Sequence, residues 1–296
     1  MPGGRFPPDS TCRLALRSSC DVRCGRRAPV VIRQGLARSS TGIAEVNPSI
    51  ALHPDEVHVW RADLNHSGFP AREIDRILSQ EERERAARFH LQRDRNHLTA
   101  GRVMVRSILG RYLNTDPRHL QFSRGPRGKP ALATERGADA LCFNIAHSHD
   151  VVLCAVARGR DIGVDVERIR ADINVDLIAE RFFSQREIAA LRLLPPERKL
   201  TAFFTCWVRK EAYVKARGDG LAMNLDSFSV SFAPGEPAAL LDVRGHPEEA
   251  LAWSLTELDF DASFAAALAV RAAECRVSCW EFTAHQWTSV DGGGWI

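Results

Sequence analysis

Apolar and polar residues alternate from Val57 to Ala62, which predicts a strand, and Ser79 with Glu82 three positions later predicts a capping box opening a charged helix. The period then becomes helical: Leu98, Gly101, Val105, Ile108, Leu109 and Tyr112 share a face that runs through Asn114, and Pro117 closes it. Leu141 to Ala146 and Val151 to Ala157 read as strands joined by a turn near His149-Asp150. Arg158-Gly159-Arg160 then turns into a further strand bearing Asp165 and Glu167. A second capping box stands at Ser184 and Glu187, Pro195-Pro196 breaks the helix, and a new helix runs from Glu197 to Arg217 before Gly218 ends it. Strands near Ser227 to Phe232, Ala252 to Leu258, Phe264 to Val270 and Arg276 to Phe282 complete the second half. Strands followed by helices in each half predict the α+β class, with an N-terminal unit over 46–157 and a C-terminal unit over 158–296.

The first 45 residues stand apart, because Arg5, Arg13, Arg17, Arg23, Arg26, Arg27, Arg33 and Arg38 are interspersed with Ser, Gly and Pro. Pro2, Pro7 and Pro8 spoil an amphipathic transit helix, so this stretch reads as a disordered leader. The chain has 296 residues and is 45% hydrophobic, enough for one large core or two smaller ones. Lys and Arg number 40 against 37 Asp and Glu, a net charge of only +3 that gives no argument for nucleic acid. The apolar run Phe264 to Val270 falls far short of the ~18 residues that a membrane span needs, so a cytoplasmic protein is expected. Cys142, Cys154 and Cys206 sit in apolar patterns, where a reduced thiol behaves as a small hydrophobe. Cys20/Cys24 and Cys275/Cys279 are spaced poorly for zinc, and no His cluster completes either pair.

Chemistry concentrates in two short stretches. In Ile162-Gly163-Val164-Asp165-Val166-Glu167 the period of two projects Asp165 and Glu167 from one side of a strand. In Trp207-Val208-Arg209-Lys210-Glu211-Ala212-Tyr213-Val214-Lys215, Glu211 and Lys215 are four apart and share a helix face, with Trp207 one turn earlier as an anchor. A lone Asp-x-Glu is ordinarily a solvated face, and a lone Glu-Lys pair is worth only ~0.3 to 0.5 kcal/mol. Together the three carboxylates make a hard-oxygen set of the kind Mg²⁺ prefers. His147-Ser148-His149-Asp150 lies on a turning segment that rarely supplies a third ligand, so it is not read as a metal cluster.

The two stretches resemble the motifs of the 4'-phosphopantetheinyl transferases, in which a Gly-x-Asp-x-Glu strand precedes a Trp-x-x-Lys-Glu-(Ala or Ser)-x-x-Lys helix. Gly218-Asp219-Gly220-Leu221, Leu225-Asp226-Ser227-Phe228-Ser229-Val230, Gly128-Lys129-Pro130 and Phe143-Asn144-Ile145-Ala146-His147-Ser148 stand in the family's order. The resemblance covers roughly Val57 to Val270. Ala146 replaces a usual serine, and Val208 stands where a small polar residue is common. The resemblance implies a monomer of the larger class, built as a pseudo-twofold pair of similar subdomains with the active site at their seam. It implies Mg²⁺ on Asp165, Glu167 and Glu211, and a catalytic set of Glu211, Lys215 and Asp165. Coenzyme A would be held by Arg85, Arg124, Lys129, His147 and Lys215, with Arg85 and Arg124 serving its 3'-phosphate or adenine region. Lys210 is left between an ion pair and a catalytic role.

The reaction so implied moves the phosphopantetheine arm of coenzyme A onto a serine of an acyl or peptidyl carrier protein. Residues after the Gly218-Asp219-Gly220 turn and around Phe182 to Leu194 are candidates for a basic rim facing an acidic carrier. The competing readings are a non-catalytic coenzyme A binding module and a Mg²⁺-dependent phosphohydrolase acting on small nucleotides.

Overall fold

The computed structural model describes residues 50–65, 71–133, 137, 139–218, 220 and 223–283, together with the strand at 30–33. The elements are β1 (Val30–Arg33), β2 (Glu56–Asp63), α1 (Ala71–Ile77), α2 (Gln80–Ala87), α3 (Gln92–Leu113), β3 (Phe122–Arg124), β4 (Pro130–Leu132), β5 (Leu141–Ser148) and β6 (Val151–Arg158). They continue with β7 (Ile162–Arg168), α4 (Val175–Phe182), α5 (Gln185–Leu193), α6 (Pro196–Arg217), β8 (Phe228–Val230), β9 (Leu240–Val243), α7 (Glu249–Ala252), β10 (Ser254–Glu257), β11 (Phe264–Val270) and β12 (Arg276–Glu281).

Both capping boxes form: Ser79 and Ser184 accept from the amides of Glu82 and Glu187, whose carboxylates accept in return from the two cap amides. Helix α3 ends at Asn114 with φ 48° and α6 at Gly218 with φ 71°, the left-handed caps that a short polar residue and glycine tolerate. Pro117 opens a short 3₁₀ turn just beyond α3, and Pro196 occupies the first turn of α6, where its missing N–H costs nothing.

A five-stranded sheet has the order β1-β12-β2-β6-β5, and a three-stranded sheet the order β10-β11-β7. The first sheet corrects two expectations. The strand predicted over Arg276 to Phe282 does not join the second unit; as β12 it returns to lie parallel to β2 in the first sheet. Trp280 pairs there with Trp60, rings stacked 5.4 Å apart, and Phe282 enters the core beneath α3. A strand's apolar pattern states that it is buried and says nothing of its partner. Val30–Arg33, inside the leader expected to be disordered, extends the sheet as β1, parallel to β12; the remainder of residues 1–45 lies outside the described residues.

Three cores follow from this layering: one joins α3 to the first sheet, one joins α4, α5 and α6 to β8–β11, and the third lies where β5, β6 and β7 meet. The seam between the sheets is bridged by side chains. Asn144 Oδ1 accepts from the amide of Val164 at 2.9 Å, and Ser148 Oγ from that of Arg168 at 3.0 Å. Both contacts share one offset, which puts Ala146 opposite Val166 between them. The side chain of Ala146 is therefore buried in the seam core, and a serine hydroxyl there would meet the seam where the sequence suggested a phosphate contact.

Helix α6 crosses β7 at Gly163. A Cβ built there would overlap the carbonyl of Ala212 and the amide of Ala216, and would stand 2.8 Å from the Cα of Ala216. Glycine is thus required because helix backbone touches strand backbone. Gly163→Ala is expected to lower the unfolding free energy by about 1–3 kcal/mol or more and to depress activity with it, through overpacking. Thermal denaturation and turnover of the purified variant check this; an unchanged melting temperature would refute the close approach.

Candidate active site

Because the backbones touch at Gly163, the next two outward-facing positions of β7, Asp165 and Glu167, come under the turn of α6 that carries Glu211 and Lys215. Trp207 fixes that turn, edge-on to Phe182 at 5.8 Å and stacked on Phe203 at 6.0 Å. Lys215 Nζ donates to Asp165 Oδ1 at 2.6 Å. Asp165 is 4% exposed, and its other oxygen, Oδ2, is buried with no hydrogen-bond partner. Burial raises the Asp165 pKa to about 7 against the lowering pull of Lys215, and Glu167 and Glu211 push it further up. Glu211 is also raised, by burial first, with Lys215 opposing and Glu167 adding to the rise. Glu167 Oε2 accepts from Ser148 Oγ at 2.9 Å, which ties the site to the seam.

This set has the donors a hard divalent cation takes: three carboxylates repelling one another, one of them with a buried and unpartnered oxygen. Among the described residues no three His, Cys, Asp or Glu side chains are already gathered at metal-holding geometry. Lys215 on Asp165 and Ser148 on Glu167 occupy one oxygen each.

His147 ends β5 beside this cluster; burial, the Lys215 ammonium and His97 push its pKa below the usual imidazole range against the pull of Glu167. Lys129, expected to help hold coenzyme A, also has a structural part. Its Nζ donates to the carbonyls of Ile162 at 2.9 Å and Ala216 at 2.8 Å, bolting the β3–β4 turn to the start of β7 and the end of α6. Burial lowers its pKa, and two of its three hydrogens serve the backbone. Arg85 and Arg124 are exposed, on α2 and β3, and both lie within electrostatic reach of the half-buried Arg102, a residue no sequence motif singled out. Asp219 and Leu221 of the turn after α6 lie outside the described residues.

Lys210 has a structural part. Its Nζ donates to both oxygens of Glu187, at 2.8 and 2.7 Å, and to the carbonyl of Phe228 at 2.6 Å, with both side chains no more than 1% exposed. Glu187 also accepts from the amides of Ser184 and Val230, each at 2.8 Å. The capping-box glutamate is therefore the hub that joins α5, α6 and β8. A cavity of about 320 Å³ lies near the end of α6, lined by Arg127, Arg217, Met223, Ser227, Val243, Arg244 and His246. Arg217 is there hydrogen-bonded to Tyr213, on the side of α6 turned away from Lys215.

Residues 161–269 match the model of the 4'-phosphopantetheinyl transferase superfamily, and residues 71–158 that of the 4'-phosphopantetheinyl transferase N-terminal region. The 4'-phosphopantetheinyl transferase HetI of Nostoc sp. is 40% identical over 235 residues, 79% of this chain and 96% of the relative. Sfp of Bacillus subtilis is 36% identical over 154 residues, 52% of this chain and 66% of its own. A phosphopantetheinyl transferase of Thraustochytrium sp. is 29% identical over 222 residues, 70% and 76% of the two chains. The holo-[acyl-carrier-protein] synthase of Thermotoga maritima aligns over 39% of this chain and 64% of its own, with a TM-score of 0.31 and 22% identity. The chain belongs to the 4'-phosphopantetheinyl transferase superfamily, of the larger HetI and Sfp type. Among the described residues no helix is long and apolar enough to cross a membrane.

Two outcomes follow. The raised Asp165 pKa means that the folded state holds this proton more tightly than the unfolded chain, so Asp165 favours folding less as pH rises from about 4 to about 7. In metal-free protein Asp165→Asn should therefore raise the melting temperature most above pH 7, with the gain fading as pH falls toward 4. A gain independent of pH across that window would contradict the assignment. Glu187→Gln should cost about 3–5 kcal/mol by leaving Lys210 charged and uncompensated, a loss read by chemical denaturation; a loss below 1 kcal/mol would remove the hub.

Proposed function

We propose that this enzyme transfers the 4'-phosphopantetheine group of coenzyme A to a serine of an acyl or peptidyl carrier protein and releases 3',5'-adenosine bisphosphate. The observation that carries the reading is the unpartnered Asp165 Oδ2 within a cluster of Asp165, Glu167, Glu211 and Lys215. Asp165, Glu167 and Glu211 would hold Mg²⁺. When bound, the ion supplies charge neutralisation to the pyrophosphate. Glu211, its pKa raised by burial, takes the serine proton as the serine oxygen bonds to the β-phosphorus. The bond from that phosphorus to the bridging oxygen breaks, and the departing 5'-phosphate leaves with the electron pair. Lys215 faces that oxygen as a donor, and His147 steadies the phosphates from the end of β5.

Arg127, Arg217, Arg244 and His246, which line the cavity beyond α6, support a basic face for an acidic carrier. The protein is read as a cytoplasmic monomer built from two similar subdomains.

Intact mass spectrometry of apo carrier proteins incubated with the enzyme, coenzyme A and Mg²⁺ should show the phosphopantetheine mass, and a chelator should abolish it. Glu211→Gln should reduce the rate by about 10²-fold or more with an unchanged melting curve. Free phosphopantetheine without carrier modification would instead support hydrolysis, and coenzyme A binding without product the non-catalytic module.

A further inference from the structure

One hydroxyl holds Glu167 in place. Ser148 Oγ donates to Glu167 Oε2 at 2.9 Å and accepts from the amide of Arg168, the next residue along β7, at 3.0 Å. A serine hydroxyl has a single proton to give. The Arg168 amide must point at a lone pair of Oγ, which leaves that proton for the carboxylate. The strand that carries Glu167 thus also sets the direction of the bond that Glu167 receives. Ser148 is 8% exposed at the end of β5, so little water competes for either contact.

No other side chain along this part of the seam does the same. Asn144 serves the amide of Val164 but touches no carboxylate, and Ala146, between Asn144 and Ser148, has no polar side-chain atom to offer. The three carboxylates of the site are thereby distinguished. Lys215 grips Asp165 at Oδ1 and Ser148 grips Glu167 at Oε2, while Glu211 makes no hydrogen bond among the described residues. A glutamate stem has more rotatable bonds than an aspartate stem, and ordering it only when a ligand arrives would weaken binding. Glu167 is ordered beforehand, with Oε1 left uncommitted.

We propose that Ser148 is a positioning residue for the divalent cation: its hydroxyl fixes the side chain of Glu167 before the ion arrives and so raises the affinity of the carboxylates for it. The inference rests on reading Asp165, Glu167 and Glu211 as ligands of Mg²⁺, and it adds the group that orients one of them. Ser148 acts through Glu167 alone.

Titration of the full chain with Mn²⁺, followed by the paramagnetic signal of the free ion, and with Mg²⁺ by calorimetry reads cation affinity without turnover. Ser148→Ala should weaken both by roughly 10- to 100-fold, and Ser148→Thr, which keeps the hydroxyl, should restore most of the loss. In turnover, Ser148→Ala should raise the Mg²⁺ concentration for half-maximal rate by a similar factor, with kcat at saturating Mg²⁺ within about twofold of the parent. Asn144→Ala loosens the same seam without touching Glu167, so it should lower the melting temperature and leave cation affinity unchanged. If Ser148→Ala does not fold, Ser148→Cys carries the same test, because a thiol fills the space but donates weakly. Unchanged affinity in Ser148→Ala, an equal loss in Asn144→Ala, or a fall in kcat that excess Mg²⁺ does not recover would overturn the proposal and leave the Mg²⁺ reading standing. Cation binding by the parent that survives Asp165→Asn would remove the Mg²⁺ reading, and this proposal with it.

Discussion

Backbone contact between α6 and β7 at Gly163 is the constraint from which the site geometry descends. Side chains normally keep a helix about 10 Å from a sheet; with no Cβ in the way, the helix settles onto the strand. Asp165, the next residue on that face, is then buried under α6, and Glu167 beyond it is half-buried. Lys215 meets Asp165 and Ser148 meets Glu167, which leaves the buried Asp165 Oδ2 for a ligand. The same contact that packs the C-terminal core therefore desolvates the carboxylates and raises the pKa of Asp165, to about 7, and that of Glu211.

Lys129, Lys210 and Lys215, all near the motifs, have separate parts assigned by depth and by neighbours. Lys215 reaches over the edge of α6 to a functional carboxylate. Lys210, one helical step from Glu211, points into the core, where Glu187 and the Phe228 carbonyl consume its three donors. Lys129 ties two element ends together through their terminal carbonyls, where a cation also suits the C-terminal end of a helix. A motif lysine is thus as informative about architecture as about chemistry.

Much of this was legible in sequence, for local reasons. The capping boxes, the stop at Gly218 and the strand period are rules of short range, and they gave the elements nearly to the residue. Asp165, Glu167, Glu211 and Lys215 were legible because two periodicities, of strand and of helix, each put charges on one face. What the sequence concealed depends on pairing at long range. That Glu187 would take Lys210, that Ala146 would face Val166, or that β12 would seek β2 follows from which surfaces meet, and no local pattern encodes it. Arg102 was hidden differently: it is one arginine among 40 basic residues until the fold brings it within electrostatic reach of Arg85 and Arg124.

The return of β12 to the first sheet makes the two halves of the chain interdependent. Cutting the turn at Gly159, whose φ of 60° marks a tight reversal, would leave a front fragment lacking the strand beside β2 and a rear fragment ending in a strand with no neighbour. The front piece could not complete its sheet, and the rear piece, though it keeps β10-β11-β7 whole, would leave β12 unpaired, so each carries an edge the other lacks. Such a pair is suited to fragment complementation, in which activity reports that two separately made polypeptides have met.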